Sequence, residues 1–217
     1  MEIAQEYAEK YPEILIYLED LKQIIVDHIN ETEFEGNCFY HHQTVNEYPE
    51  LYNKQLNLFW CGKQAKKMCE IGFNAGHSAM LLLLSSTADT SFTIFDIDHH
   101  TYTRPCLDYL VSAFRHVSFE YNAGDSMIVM PEWIASNSAH AGSFDLVHVD
   151  GGHTEACAAS DMKHADILLR PGGIMVIDDT NAPQINDLVD QYISSLKYEE
   201  IYLLKTFGYV HRIIMKV

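Results

Sequence analysis

Three carboxylates stand where apolar runs end. Asp150 closes the run Phe144-Asp145-Leu146-Val147-His148-Val149, and the adjacent pair Asp178 and Asp179 closes Gly173-Ile174-Met175-Val176-Ile177. Short apolar runs of this kind read as buried strands. Acidic side chains at their ends then lie at the carboxyl edge of a sheet, where open α/β folds place their ligands. Adjacent carboxylates repel, and burying them is costly unless a cation compensates. Asp150, Asp178 and Asp179 together therefore suit a hard divalent cation such as Mg2+, which keeps waters and accepts substrate oxygens. The plain alternative is a hydrogen-bonded loop without metal. His153 follows Asp150 across Gly151-Gly152 and is a candidate general base, or else a histidine that orients Asp150. His148, inside the apolar run, reads as a satisfied core residue.

A second constellation lies upstream, in Glu70-Ile71-Gly72-Phe73-Asn74-Ala75-Gly76-His77-Ser78 followed by Ala79-Met80-Leu81-Leu82-Leu83-Leu84. It reads as a strand end, a tight turn and a helix start. Glycine lets the backbone approach a ligand closely, and the first turn of the helix presents free N–H groups. Glu70 before the first glycine would repel a pyrophosphate but suits a ligand with a cationic amino-acid end. Glu70, Gly72, Asn74, Gly76 and Ser78 are therefore candidate cofactor residues. Asp96, twenty residues after Gly76, can accept both hydroxyls of a ribose, with Asp98 as competitor and a loop cap as the bland alternative. In Asn122-Ala123-Gly124-Asp125-Ser126, Asp125 can meet an adenine amino group or serve only as a cap, while Ser126 is expected to cap the next helix.

These residues need a parallel sheet to gather them. Strand signals at 67–71, 91–95, 117–121, 144–149 and 173–177 alternate with helical stretches at 78–86, 104–114, 126–135 and 154–169. Ahead of them the spacing predicts a helix over 3–28 with Pro12 near a boundary, a loop or short helices over 30–52, and a helix over 56–66. The loop holds Phe39-Tyr40-His41-His42 and Tyr48-Pro49. The paired histidines 41–42 and 99–100 read as exposed, although the first pair could face a substrate. At the other end, 198–204 and 209–215 form a hairpin-like pair around Lys205-Thr206-Phe207-Gly208, so the last strand should run antiparallel. A mostly parallel seven-stranded α/β sheet with helices on both faces follows. Residues 1–55 are expected to be an extension covering the substrate site, and 56–217 one compact unit.

Composition narrows the partners. A formal charge of −17, from 14 basic against 31 acidic residues, argues against nucleic acid. Lys63, Lys66 and Lys67 read as a solvated face. The longest apolar run falls far short of the roughly 20 residues of a membrane span, and the acidic N-terminus lacks the order of a signal peptide. Five cysteines without a Cys-x-x-Cys pair read as reduced thiols in the cytoplasm, and the sequon Asn30-Glu31-Thr32 carries little weight there.

Taken together, Glu70 to Met80, Phe144 to Thr154 and Leu169 to Thr180 resemble the class I S-adenosylmethionine-dependent methyltransferases. More narrowly they are similar to the macrocin-type sugar O-methyltransferases, with Asp-Gly-x-His, then Pro-Gly-Gly and a paired-acid strand end. Asn74 departs from the glycine that many relatives carry. The resemblance covers roughly 56–217. It implies a Rossmann-like fold, S-adenosylmethionine held by Gly72, Asp96 and Asp125, and metal held by Asp150, Asp178 and Asp179. It also implies a small-molecule or sugar acceptor, with a homodimer allowed. The competing readings are a non-catalytic S-adenosylmethionine-binding module serving a partner protein, and an NAD-linked oxidoreductase. The retained metal carboxylates count against the first, and the absence of G-x-G-x-x-G and the antiparallel tail count against the second.

Overall fold

The computed structural model describes residues 2–28, 38–39, 51–206 and 210–217. His41, His42, Tyr48 and Pro49, the sequon at Asn30 and the turn residues Phe207 and Gly208 lie outside them. The elements run α1 (Glu2–His28), α2 (Tyr52–Lys63), β1 (Lys67–Ile71), α3 (His77–Leu83), β2 (Ser91–Asp96), α4 (Thr103–Ala113), β3 (Ser118–Ala123), α5 (Ser126–Ser136), β4 (Phe144–Val149), α6 (Glu155–Leu168), β5 (Leu169–Ile177), α7 (Pro183–Ser194), β6 (Tyr198–Glu200) and β7 (Arg212–Lys216).

The seven strands form one sheet in the order β3-β2-β1-β4-β5-β7-β6. β1 to β5 pair in parallel, while β7 runs antiparallel to both β5 and β6. The antiparallel close of the sheet thus agrees with the hairpin reading of the tail. The strand order reverses between β1 and β4, the place where such sheets leave a crevice at their carboxyl edge.

Side chains of a strand alternate between faces, and both faces here are apolar. Met68, Phe92, Ile94, Leu146, Ile174 and Val176 pack with the helices α1 to α4. Cys69, Ile71, Phe95, Val147, Val149, Met175 and Ile177 pack with α5 to α7. In α1 the buried residues Tyr7, Ile14, Leu18, Leu21 and Ile25 keep helical spacing, so the helix lies along the sheet layer on one stripe. Pro12 does not bound it; the helix runs through. α2 starts earlier than its apolar pattern indicates, and position 55/56, the expected domain boundary, falls inside it. α7 was not anticipated, although Ile185, Leu188 and Val189 give it a short buried stripe.

The three lysines do not share a face. Lys63 pairs with Glu6 and Lys66 with Asp89, whereas Lys67 donates to Ser143 Oγ and lies over the Phe144 ring. All five cysteines are free thiols. Among the described residues no helix is long and apolar enough to cross a membrane.

α2 meets α3 through Gly62, where an added Cβ would stand 2.1 Å from the carbonyl oxygen of Leu82. Gly62→Ala is therefore expected to push the two helices apart and cost about 1–3 kcal/mol. Thermal unfolding should show a midpoint lower by roughly 2–4 °C per kcal/mol. An unchanged midpoint would mean that the helix pair yields freely at this contact.

Candidate active site

The carboxyl edge of the sheet collects the site because each strand hands its last amide to its neighbour. Gly72 N donates to Phe95 O (2.8 Å), Asp150 N to Ile71 O (2.9 Å), Asp178 N to Val149 O (2.9 Å) and Gly124 N to Asp96 O (2.8 Å). The backbones of the candidate residues are thus extensions of the ladder.

The turn after β1 holds three residues in left-handed backbone: Gly72 (φ 88°), Asn74 (φ 50°) and Gly76 (φ 78°). Asparagine tolerates that conformation better than most residues, which accounts for Asn74 at this point of the turn. The carboxylate of Asp96 holds this turn. Its Oδ2 accepts from Phe73 N (2.7 Å) and Asn74 N (2.9 Å), and its Oδ1 from Asp98 N (2.7 Å). Asp98 points elsewhere, accepting from Arg104 Nε (2.9 Å) and Tyr121 OH (3.2 Å). Ile97, next to Asp96, is 66% exposed, an apolar side chain left bare beside the loop.

At the start of α5 the cap is Asp125, whose side chain accepts from Met127 N (2.9 Å). This corrects the expectation that Ser126 caps; Ser126 instead faces the Cys157 thiol at 3.9 Å. Met127 and Ile128 are exposed.

The acidic centre obeys strand parity. Glu70, His148, Asp150 and Asp178 continue the face that α1 to α4 cover, since each is an even number of residues from Met68, Leu146 or Val176. Glu70 and His148 are register partners on β1 and β4. Both are fully buried, and Glu70 Oε1 accepts from His148 Nδ1 (2.9 Å) and Ser78 Oγ (2.6 Å). This tautomer leaves a lone pair on His148 Nε2, which has no partner among the described residues; nor do Asp178 Oδ1 and Glu70 Oε2. Ligand atoms of His148, Asp150 and Asp178 all lie within 4.8 Å of one another. The expected core histidine is therefore part of the centre.

Asp179 is not in that set. It lies two residues beyond the end of β5, where the chain turns into left-handed backbone (φ 54°), and its Oδ2 lies 3.1 Å from Nε2 of the largely exposed His153. Lys54, which sequence reasoning passed over, enters from α2. It is 5% exposed and its ammonium donates to Asp178 Oδ2. Position 54 shares a helical stripe with Leu51 and Leu58, and a lysine on such a stripe is the signal that could have found it.

The charges respond to one another. Burial, then the charge of Asp178, raises the Asp150 carboxyl well above the ordinary range. Burial is the largest influence and opposes ionisation of Asp178 too, but the Lys54 ammonium together with His148 and His211 holds that carboxyl low. Burial and Asp178 raise Asp179, and burial lowers His211 to about 3. A cavity of about 430 Å³ lies elsewhere, between α1, α2 and Leu203-Leu204, and touches none of these acids.

Beneath the loop that carries Asp150, a Cβ on Gly151 would stand 2.8 Å from Asp161 Oδ2. Asp161 is buried, which raises its carboxyl from 3.8 to about 6. Below about pH 4 it is protonated folded or unfolded. Between about pH 4 and 6 only the unfolded chain loses the proton, so stability falls, by up to about 3 kcal/mol for a shift of two units. Asp161→Asn should therefore raise the unfolding free energy at pH 8 and leave it nearly unchanged at about pH 3. Denaturant titrations at the two pH values check this, and equal effects at both would refute it.

The geometry now meets its relatives. The profile of the family described as "Methyltransferase domain" matches residues 69–180, just over half the chain. No curated protein matches significantly by sequence. Among solved structures, an O-methyltransferase from Bacillus cereus in complex with S-adenosylhomocysteine superposes with TM-score 0.62 at 16% identity, over 93% of this chain and 90% of that one. CalS11, a TDP-rhamnose 3′-O-methyltransferase of calicheamicin biosynthesis, gives 0.63 at 14% identity over 77% and 80%. TomG of Streptomyces achromogenes, an O-methyltransferase of tomaymycin synthesis with bound S-adenosylmethionine, gives 0.55 at 19% over 76% and 79%. With the family profile spanning the glycine turn, the acidic strand ends and everything between them, this chain belongs to the methyltransferase-domain family and is a class I S-adenosylmethionine-dependent methyltransferase.

Proposed function

We propose that the enzyme moves the methyl group of S-adenosylmethionine to a hydroxyl of a small molecule or sugar. One observation carries the reading: a Cβ on Gly72 would lie 1.9 Å from the carbonyl oxygen of Asp150, so the cofactor turn and the acidic centre are in direct backbone contact. A methyl donor seated on the turn then has its reactive end beside Asp150 and Asp178. CalS11, whose acceptor is a nucleotide-linked deoxysugar by its name, and TomG of tomaymycin synthesis lend support to such an acceptor.

In this reading the free Oε2 of Glu70 meets the cofactor's ammonium, with Gly72, Asn74, Gly76 and Ser78 shaping the pocket around it. Asp96 takes the ribose hydroxyls on the lone pairs left over from the turn. Asp125 and Ser126 border the adenine, with Ile97, Met127 and Ile128 as its apolar walls. Asp98 is committed to Arg104 and Tyr121 and takes no part. From residues 1–55, α1 and the start of α2 serve as the cover of the centre.

Methyl transfer is an in-line displacement in which the O–C bond forms as the S–C bond breaks, and proximity supplies much of the rate. The acceptor hydroxyl must also lose its proton. His153, held through Nε2 by Asp179, has its other ring nitrogen free to take it. The donor set His148, Asp150 and Asp178 fits one divalent cation, on the evidence of two buried atoms without partners. An imidazole in the set shifts preference from Mg2+ towards Mn2+ or a later metal. When bound, such a cation lowers the pKa of the acceptor hydroxyl. Asp179 would serve it only through His153.

Two experiments test the reading. Asp96→Ala should weaken S-adenosylhomocysteine roughly 10–150-fold in calorimetry, the equivalent of about 1.5–3 kcal/mol for a charge-assisted contact, while Asp98→Ala leaves affinity nearly intact. The reverse order would move the ribose to Asp98. His153→Ala should lower kcat about 10²–10⁴-fold in a methyl-transfer screen against nucleotide sugars, glycosides and catechols, with little change in cofactor binding. Recovery of that rate with added divalent cation would instead give His153 a metal-supporting role, worth about 10–100-fold in affinity.

A further inference from the structure

Lys54 is the one buried lysine among the described residues. Its ammonium already sits on Asp178, the carboxylate whose other oxygen lacks a partner and which belongs to the donor set with His148 and Asp150. Nor is the lysine carried by a loose element. Asn53 donates to Lys205 O (2.7 Å), Asn57 donates to Leu204 O (2.8 Å), Gln55 donates to Cys38 O (2.9 Å), and Tyr7 OH donates to Gln55 Oε1 (2.8 Å). These polar side chains flank position 54 and pin α2 at the edge of the site, so the ammonium can leave only by folding back along its own four-carbon stem.

We propose that Lys54 is a resident competitor for the divalent cation. The ammonium and the metal claim one carboxylate, and a metal at coordination distance from Asp178 would stand within a few ångströms of the ammonium in a poorly solvated site. Like charges at that range repel strongly where the dielectric is low. The centre is therefore charge-compensated before any metal arrives, and the metal binds only as the lysine withdraws. Lys54 thus sets the metal affinity and makes occupancy depend on the free-metal level. This inference rests on reading the centre as a divalent-cation site.

Calorimetry with Mn2+ alone on the full chain separates the two. Lys54→Met and Lys54→Gln remove the charge at similar length, and both should bind Mn2+ at least about tenfold more tightly than the unaltered protein, while Lys54→Arg, which keeps the charge, should not. Asp178→Asn added to Lys54→Met should abolish the gain. Unchanged S-adenosylhomocysteine affinity reports that each variant is folded. Equal Mn2+ affinity with and without the lysine would overturn the competition and leave the metal site standing; weaker binding in the variants would also overturn it, making Lys54 a supporter of the metal. Absence of Mn2+ binding in every form would remove the metal site and the competition together. A measurement on the unaltered protein needs no variant: trace acetylation read by mass spectrometry should find Lys54 protected without metal and labelled at saturating Mg2+. Equal protection in both conditions would refute the withdrawal.

Discussion

The contact between Lys54 and Asp178 has to be understood first, because the sheet creates a problem there that nothing within the sheet solves. Parallel strands in register bring the same parity to the same face. Glu70, His148, Asp150 and Asp178 therefore emerge side by side under the helices α1 to α4. The buried carboxylates of Glu70 and Asp178 and the half-buried one of Asp150 repel one another and lose hydration. His148 and Ser78 partly answer Glu70, but neither donates a hydrogen bond to Asp178, whose Oδ1 has no partner among the described residues. A positive charge has to come from outside the sheet, and α2 delivers it. A buried ion pair is poor evidence of net stability, since desolvation offsets attraction. Its role here is better seen as permission: with Lys54 in place, Asp178 can stay ionised at a dry strand end.

That permission reaches the glycine turn through backbone and not through side chains. Gly72 must be glycine for two independent reasons, its left-handed φ and its contact with the carbonyl of Asp150. Asp96 then holds the turn from the other side through its Oδ2, while its Oδ1 fixes its own loop at Asp98. The turn is clamped between an acid on β2 and the end of β4, and each clamp is itself fixed by a ladder hydrogen bond. A site assembled this way is organised before ligand binds, which is what a displacement limited by geometry requires.

What the sequence made legible was whatever depends on chain-local pattern. The bounds of β1 and β4 follow from apolar runs with an acid at or after the end, and both coincide with the structure. The glycine turn followed from spacing. Three things escaped, each for a physical reason. Asp178 and Asp179 are adjacent, but the strand ends at Ile177 and the chain turns left-handed at Asp179 (φ 54°), which no local pattern announces. His148 read as core because it is surrounded by apolar neighbours in sequence, and its partner Glu70 is 78 residues away. Lys54 is 124 residues from Asp178, and only its place on a buried helical stripe hinted at an inward charge. α7 escaped because its stripe is short and polar residues interrupt it.

The charge of the site bears on how it would accelerate the reaction. S-adenosylmethionine carries a sulfonium, and transfer discharges it, so an uncompensated acidic pocket would stabilise the ground state more than the transition state. Only interactions that strengthen on the way to the transition state speed the step. A cation at Asp178 would offset that bias: it would screen the sulfonium from part of the acidic field and favour loss of the acceptor's proton before the O–C bond forms. A lysine and a divalent metal both meet the requirement, differing in strength and in whether supply is internal or external. This is why the occupant of the Asp178 carboxylate, and not the number of acids around it, decides what this arrangement of strand ends can do.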